Sequence, residues 1–293
     1  MTTSPVFILF HAGCQDGTAS KYAAWCKYGD EGAKYFPVAY GDPIPAIPDG
    51  SEVYIIDFSY DKATLEALNA RCSKVVVLDH HKSAEEALKG LDFAFFDMNR
   101  SGAVMAWNYF HPDTPAPRVL LRVQDRDLWR WQYKDTKPVT SALQVLGDDM
   151  MAWDSYLGAN SVYEKDTLAQ NGQWIEKYKE VSIERASRAY QVTLRVWMGF
   201  KVAIINSNDL QSEIGAHLYE KYPVDFVIIY SLNGAGLVNI GLRSKDPTGT
   251  DVSNVAKMYG GGGHKHSAGC SAATEIIHQW YSSPFFSVPQ SNE

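Results

Sequence analysis

Over the first hundred positions, apolar residues fall into short runs divided by polar, glycine-containing segments. Val6 to Phe10, Val53 to Ile56 and Val75 to Leu78 are continuous apolar runs rich in β-branched residues. Such runs read as strands buried on both faces. Tyr35 to Tyr40 and Phe93 to Phe96 predict two more strands. Between them, Ala19, Tyr22, Ala23 and Cys26 lie at helical spacing within Thr18 to Lys27. A helix through Leu65 and Leu68 is expected to be capped by Ser59. Ser83-Ala84-Glu85-Glu86 has the form of a capping box opening another helix. Ser101 is expected to cap a helix from Gly102 to Phe110 that stops before Pro112, and Arg118 to Val123 reads as one more. Gly41 to Gly50, with Pro43, Pro45 and Pro48, reads as a loop. Strands alternating with helices predict a mainly parallel sheet with its strand ends on one edge.

The second half reads differently. Glu164 to Val196 has a helical pattern of mixed charge, expected as one or two long connecting helices with a break at Gly172. Phe200 to Ile205 is a predicted strand and Leu210 to Tyr222 a helix. Phe226 to Tyr230 and Val238 to Leu242 form a strand pair turning at Asn233-Gly234, ending in Arg243-Ser244. Val252 to Tyr259 is a short helix, and the tail after Ser283 is expected to fray. The fold class is α/β: an N-terminal domain with a mainly parallel sheet over 1–148, a helical connector over 149–198, and a smaller C-terminal α/β domain over 199–293.

The chain has 293 residues, 45% hydrophobic and 21% charged, with a net charge of −7. That balance is globular and argues against sequence-blind binding to long duplexes, which needs an extended basic face. The four cysteines, Cys14, Cys26, Cys72 and Cys270, form no Cys-x-x-Cys pair and suit a reducing compartment. The first apolar run has strand length, not the length of a signal peptide or membrane span. A soluble cytoplasmic protein is expected, with no membrane partner; a homodimer is compatible with the sequence.

Candidate chemistry lies at the strand ends. Val6 to Phe10 runs into His11-Ala12-Gly13-Cys14-Gln15-Asp16-Gly17, Val53 to Ile56 into Asp57, and Val75 to Leu78 into Asp79-His80-His81. Ligands of open α/β sheets sit at the carboxyl ends of strands. Carboxylate and imidazole donors suit manganese, magnesium or iron better than a structural zinc. Several such groups on one edge can hold two metals roughly 3.5–4 Å apart, activating a water for in-line displacement at phosphorus. Asp57, between the other two clusters in chain order, is the expected bridging carboxylate. Another acidic cluster, Asp125 and Asp127, is followed by Trp129 and Trp131, which fit either base stacking or ordinary packing. Gly260 to Gly263, followed by His264-Lys265-His266, reads as an anion-binding loop, with Arg243 helping to hold an anionic substrate. No Gly-x-Ser-x-Gly elbow or Walker A loop is present.

These motifs together resemble the DHH phosphoesterase superfamily. The likeness is carried by Asp79-His80-His81, the His11…Asp16-Gly17 loop, Asp57 after its strand, and Gly261-Gly262-Gly263-His264 followed by Ala268-Gly269. The last is similar to the signature of the DHH-associated C-terminal domain, and the ordered set spans nearly the whole chain. The resemblance implies a manganese-dependent phosphoesterase with an active-site cleft between an N-terminal catalytic domain and a C-terminal substrate-binding domain, and with two ions, magnesium or another divalent ion being the alternative. His11, Asp16, Asp57, His80 and a later aspartate, Asp125 or else Asp127, would bind metal. Asp79 and His81 would complete the catalytic group, His81 orienting substrate. Arg243, Ser244, Gly261, Gly262, Gly263 and His264 would grip the substrate phosphate or terminal nucleotide. The implied substrates are short single-stranded RNA or linear dinucleotides such as pGpG, cleaved to mononucleotides. The alternatives are phosphomonoester hydrolysis of 3′-phosphoadenosine 5′-phosphate, or an inactive nucleotide sensor. One departure stands out: the family's first loop carries Asp-x-Asp-Gly, and here it is Cys14-Gln15-Asp16-Gly17. Cys14 is therefore a candidate thiolate ligand.

Overall fold

The computed structural model describes residues 4–157, 166–245, 247 and 249–287. The chain divides into two compact units, Met1–Glu176 and Lys177–Glu293.

In the first unit the order is β1 (Val6–His11), α1 (Gln15–Gly32), β2 (Lys34–Val38), β3 (Glu52–Ile56), α2 (Lys62–Arg71), β4 (Lys74–Asp79), α3 (Lys82–Ala87), β5 (Ala94–Phe96), α4 (Gly102–Phe110), α5 (Arg118–Asp127), α6 (Thr136–Leu146) and α7 (Met150–Leu157). The five strands form one parallel sheet in the order β2-β1-β3-β4-β5. Alternate strand residues enter opposite cores, as a two-residue side-chain period requires. Ile8, Tyr54, Ile56, Val76 and Leu78 pack with α1, α4, α5, α6 and α7, whereas Phe7, Leu9, Val53, Ile55, Val75 and Val77 pack with α2 and Leu88. Burial on both faces explains the unbroken apolar runs. The chain reverses direction across the sheet between β1 and β3, the position where open α/β sheets bind ligands.

The helix α8 (Thr167–Ala186) leads into the second unit, which continues with β6 (Thr193–Trp197), β7 (Phe200–Asn206), α9 (Gln211–Lys221), β8 (Phe226–Leu232), β9 (Val238–Arg243), α10 (Val252–Lys257), β10 (Gly262–His264), β11 (Ser267–Ala272) and α11 (Glu275–Ser282). Its sheet has the order β10-β11-β9-β8-β7-β6, with only β7 and β8 parallel. Ile204, Ile228 and Leu242 pack toward α10 and α11, and Ala203, Ile205, Val227 and Ile229 toward α9.

Several local expectations change. The segment expected as helix to Val196 ends at Ala186, and Thr193–Trp197 is the strand β6; its β-branched and aromatic side chains pair with β7. Glu164 lies outside the described residues. The tail does not fray at once: Val196 N donates to Pro284 O at 2.8 Å, and Phe285 bridges to Arg195, because β6 is an edge strand with open backbone groups. Helix α2 is capped by Asp61, which accepts from Thr64 N, not by Ser59. Helix α3 starts at Lys82 with His81 as its N-cap, so Ser83 lies inside the first turn. The helices α6 and α7 have no counterpart in the sequence reading. Pro138 in the first turn of α6 obscures the spacing of Val139, Ala142, Leu143 and Leu146, although proline is tolerated there.

Candidate metal centre

The motif residues of the first unit meet at the carboxyl edge of its sheet. His11 is the last residue of β1, Asp57 follows β3, and Asp79 ends β4. Asp57 N still donates to Leu78 O at 2.9 Å, continuing the ladder for one more residue. The backbone then turns with φ of 58° at Asp57, a left-handed conformation that aspartate tolerates better than most residues. The turn leaves the carboxylate at the junction of β1, β3 and β4, and Asp57 is only 1% exposed.

Three carboxylates converge on one imidazole nitrogen. His80 Nε2 lies 3.0 Å from Asp57 Oδ1, 3.5 Å from Asp127 Oδ2 and 3.6 Å from Asp16 Oδ2. On the other side of Asp57, His11 Nδ1 lies 3.6 Å from Oδ2, too far for a hydrogen bond. Both atoms are buried without a hydrogen-bond partner among the described residues. Donor atoms of Asp16, Asp57 and His80, and separately of His11, Asp57 and His81, lie within 4.8 Å of one another. Asp57 belongs to both groups. Surplus negative charge and two orphaned buried donors fit divalent cations, which would satisfy both.

The titration behaviour follows from this crowding. Burial, with the Asp57 and Asp127 charges, pushes Asp16 well above the usual carboxylate range. Burial likewise pushes Asp127 up, assisted by Asp57. Burial also penalises the Asp57 carboxylate, but the nearby His11 ring, the hydrogen bond to His80 and the imidazole charges of His80 and His81 hold it well below that range. Burial opposes charge on His80, yet Asp57, Asp127 and Asp16 raise it to about 10. Without metal, an imidazolium proton thus supplies the positive charge.

Asp79 acts from behind. Its Oδ1 accepts from His80 N at 2.7 Å and His81 N at 3.2 Å, and pairs with His81 Nδ1 at 2.6 Å. Its Oδ2 accepts from Ser59 Oγ at 2.5 Å. Burial disfavours the charged form, but His81 and Ser59 hold Asp79 below its ordinary value. A carboxylate engaging Nδ1 presents the other ring nitrogen as a donor, the usual support for a metal-binding histidine. Ser59, expected as a helix cap, is thus a support of Asp79. Asp16 is held in a similar way: Gly102 N donates to its Oδ2 at 2.6 Å and Ala103 N to its Oδ1 at 3.2 Å, at the positive end of α4.

The structure separates the two aspartates left as alternatives. Asp125 is turned away: its carboxylate accepts from Gln132 N at 2.8 Å, Tyr133 N at 3.2 Å and Thr136 Oγ1 at 2.5 Å. Asp127 is the one beside His80. Cys14 belongs to no three-donor group among the described residues. It occupies the N-cap of α1 without a side-chain capping bond, and burial with the Asp57, Asp127 and Asp16 charges pushes its thiol well up. Trp129 and Trp131, both half-buried with φ of 55°, meet edge to face at 4.8 Å. Tyr40, which the sequence reading passed over, is 57% exposed. Its ring stands edge-on to His11 at 5.5 Å and to His81 at 6.2 Å; an aromatic at the end of a predicted strand was the available signal.

In the second unit the glycine run folds as a hairpin, not as a loop. Gly262, Gly263 and His264 pair with Gly269, Ala268 and Ser267. A Cβ at Gly261 would stand 2.1 Å from Gly269 O, and one at Gly263 2.7 Å from the Ala268 Cα, so the glycines permit close approach of two backbones. Ser267 also pairs with Arg243, which sets Arg243 and His264 about 10 Å apart across three adjacent strands. Arg243 Nε donates to Ser212 Oγ at 3.2 Å, and burial draws its guanidinium down to about 10, still charged at neutral pH. Ser244 Oγ donates to Thr250 O at 2.6 Å and lies 2.9 Å from His266 Nδ1.

No protein-family model matches the chain. It is 28% identical over 290 residues to the uncharacterized protein R106 of Acanthamoeba polyphaga mimivirus, covering 89% of this chain and 66% of that protein. It is 24% identical over 260 residues to the oligoribonuclease NrnB of Bacillus subtilis (strain 168), covering 80% and 62%. The chain thus spans just under two thirds of the length of each relative. RecJ from Thermus thermophilus, crystallised in complex with Mn2+, shares the fold with a TM-score of 0.51 at 14% identity, over 93% of this chain and 50% of that one. Among the described residues no helix is long and apolar enough to cross a membrane.

Proposed function

We propose that this chain, a member of the DHH phosphoesterase superfamily in its fold and motif order, is a two-metal phosphodiesterase that cuts short oligonucleotides or linear dinucleotides into mononucleotides. The observation that carries the reading is that Asp57 belongs to both three-donor groups that contain a carboxylate, as a carboxylate shared by two ions must. Asp16, Asp57, His80 and Asp127 would hold one ion; His11 and Asp57 would hold the other, with His81 and Cys14 beside them. The metal pair, manganese or magnesium by donor type, would supply an activated water and neutralise charge on the phosphate during in-line displacement. Asp79 keeps His80 and His81 in fixed orientations through its four hydrogen bonds. His81 orients the scissile phosphate. Arg243, Ser244, Gly261, Gly262, Gly263 and His264 bind the terminal nucleotide, Arg243 contributing a positive charge. The net charge of −7 favours short substrates over long strands. The likeness to NrnB, itself an oligoribonuclease, supports the same substrate class, and RecJ with bound Mn2+ supports the metal.

The test is product analysis with Mn2+ present. A labelled dinucleotide such as pGpG, a five-residue RNA, a long single strand and 3′-phosphoadenosine 5′-phosphate are offered at equal concentration. Fast release of mononucleotides from the two shortest oligonucleotides is the expected result. Preference for the bisphosphate would replace the reading with phosphomonoester hydrolysis. Tight nucleotide binding without any turnover would replace it with a sensor.

A further inference from the structure

We infer that Tyr40 is a stacking platform for substrate: the base of a nucleotide next to the scissile phosphate lies on its ring, whichever base that is. The inference rests on the phosphodiesterase reading and adds a substrate-binding residue to it.

The backbone fixes where the ring stands. Val38, the last residue of β2, pairs with His11, the last residue of β1, and Ala12 N donates to Val38 O at 2.8 Å. The chain then reverses over Ala39-Tyr40-Gly41-Asp42. Asp42 N donates to Ala39 O at 3.0 Å, and Ala39 N donates to Asp42 Oδ2 at 2.8 Å, so the turn is tied twice. Gly41 has φ of 95°, the conformation that the third residue of a type II turn requires. Tyr40 therefore occupies the corner, two residues beyond the partner of His11.

Its neighbours hold the ring without covering it. Phe58, 1% exposed, packs against it with ring centroids 4.9 Å apart. The imidazole planes of His11 and His81 stand nearly perpendicular to it, at 75° and 83°. Contacts of the ring thus fix the residue from the side of the metal centre, yet Tyr40 remains 57% exposed. A fixed aromatic face left open to solvent forgoes the free energy of burial, which a stacked ligand would recover. A sugar's width separates a base from its phosphate, and a ring one side chain beyond His11 and His81 stands at that remove from a phosphate held beside them. Every base has a π-face, so stacking on tyrosine holds a nucleotide without reading its sequence. Complete conversion of short oligonucleotides to mononucleotides needs that tolerance.

The test is steady-state kinetics with Mn2+ on pGpG and on two analogues, one abasic at the first position and one at the second, with binding of pGpG measured by calorimetry in Ca2+. Stacking on an aromatic side chain is worth about 5- to 150-fold per base. Tyr40→Ala should raise KM for pGpG by that factor, with kcat changed far less. Tyr40→Phe, which keeps the ring, should recover most of the loss. The Tyr40→Ala penalty should vanish against one abasic analogue and persist against the other. A Tyr40→Ala KM equal to that of the wild type, a Tyr40→Phe protein as impaired as Tyr40→Ala, or a penalty that persists against both analogues would overturn the inference and leave the phosphodiesterase reading standing. A wild type that releases no mononucleotide, yet binds pGpG more tightly than Tyr40→Ala does, would overturn that reading and keep the platform. No binding of pGpG by the wild type would overturn both.

Discussion

Gly102, the first residue of α4, separates local propensity from tertiary fit. Replacing a helical glycine with alanine ordinarily stabilises a helix by about 1 kcal/mol. At this position a Cβ would lie 2.5 Å from Asp57 Cβ, 2.9 Å from Asp57 Cα and 3.1 Å from Asp16 Oδ2. Ordinary carbon contacts begin near 3.5 Å, so α4 must retreat by about 1 Å. Overpacking of this kind costs about 1–3 kcal/mol. The retreat also stretches the 2.6 Å bond from Gly102 N to Asp16, a hydrogen bond worth about 1–3 kcal/mol when the acceptor is charged. The net expectation for Gly102→Ala is a loss of about 1–5 kcal/mol. Displacing Asp57 and Asp16 by such a distance should lower turnover by about 100-fold. Urea unfolding of the metal-free protein, the rate of mononucleotide release from a dinucleotide and Mn2+ titration by calorimetry measure these effects. Gly234→Ala is the control, because a Cβ there meets nothing within 4 Å. A Gly102→Ala protein as stable as the wild type, with unchanged Mn2+ affinity, would refute the packing of α4 against the site.

The Asp125 and Asp127 roles separate by variant. Asp125→Asn puts an amide NH2 among three donors and should cost about 2–3 kcal/mol in urea unfolding while leaving Mn2+ affinity near normal; Asp127→Asn should leave the unfolding midpoint in place and weaken Mn2+ binding by more than about tenfold. The reverse pattern would return the ligand role to Asp125. Ser59→Ala removes a donor to Asp79 and should weaken metal binding about 10–100-fold; a calorimetric titration identical to the wild type would remove Ser59 from the site. His80 is raised from 6.5 to about 10 in the metal-free fold, so its stabilising contribution is complete below about pH 6.5 and is lost as pH rises toward 10. Asp16 and Asp127, also raised, act in the same direction. The thermal midpoint of the metal-free protein should therefore fall between pH 7 and pH 10, and that of the metal-loaded protein should stay level. A midpoint that rises in the metal-free protein would contradict the charge arrangement. Asp57→Ala should abolish turnover and metal uptake together; normal turnover would remove the bridging role.

What the sequence determined by itself was the first unit's architecture and the location of its chemistry. Val6–His11, Glu52–Ile56 and Lys74–Asp79 announce themselves because a parallel sheet buried on both faces needs unbroken apolar runs. Parallel strands alternating with helices send their ends to one edge, so the alternation alone brings His11, Asp57 and Asp79-His80-His81 to one region. The second unit was less legible. The glycine run at 260–263 reads as a loop because composition reports backbone freedom but not the conformation it permits, and here it permits β10 to pair closely with β11. Thr193–Trp197 read as helix because the pattern before it is helical and five residues carry little periodicity of their own. Only the tertiary structure puts Asp127, and not Asp125, beside His80. Their side chains diverge on the last turn of α5, so one meets the amides of Gln132 and Tyr133 and the other meets His80. The same holds for Ser59, Gly102 and Tyr40, whose roles depend on neighbours 20 or more residues away. Periodicity records which face of an element is buried; the identity of what it meets there is decided by how the elements pack.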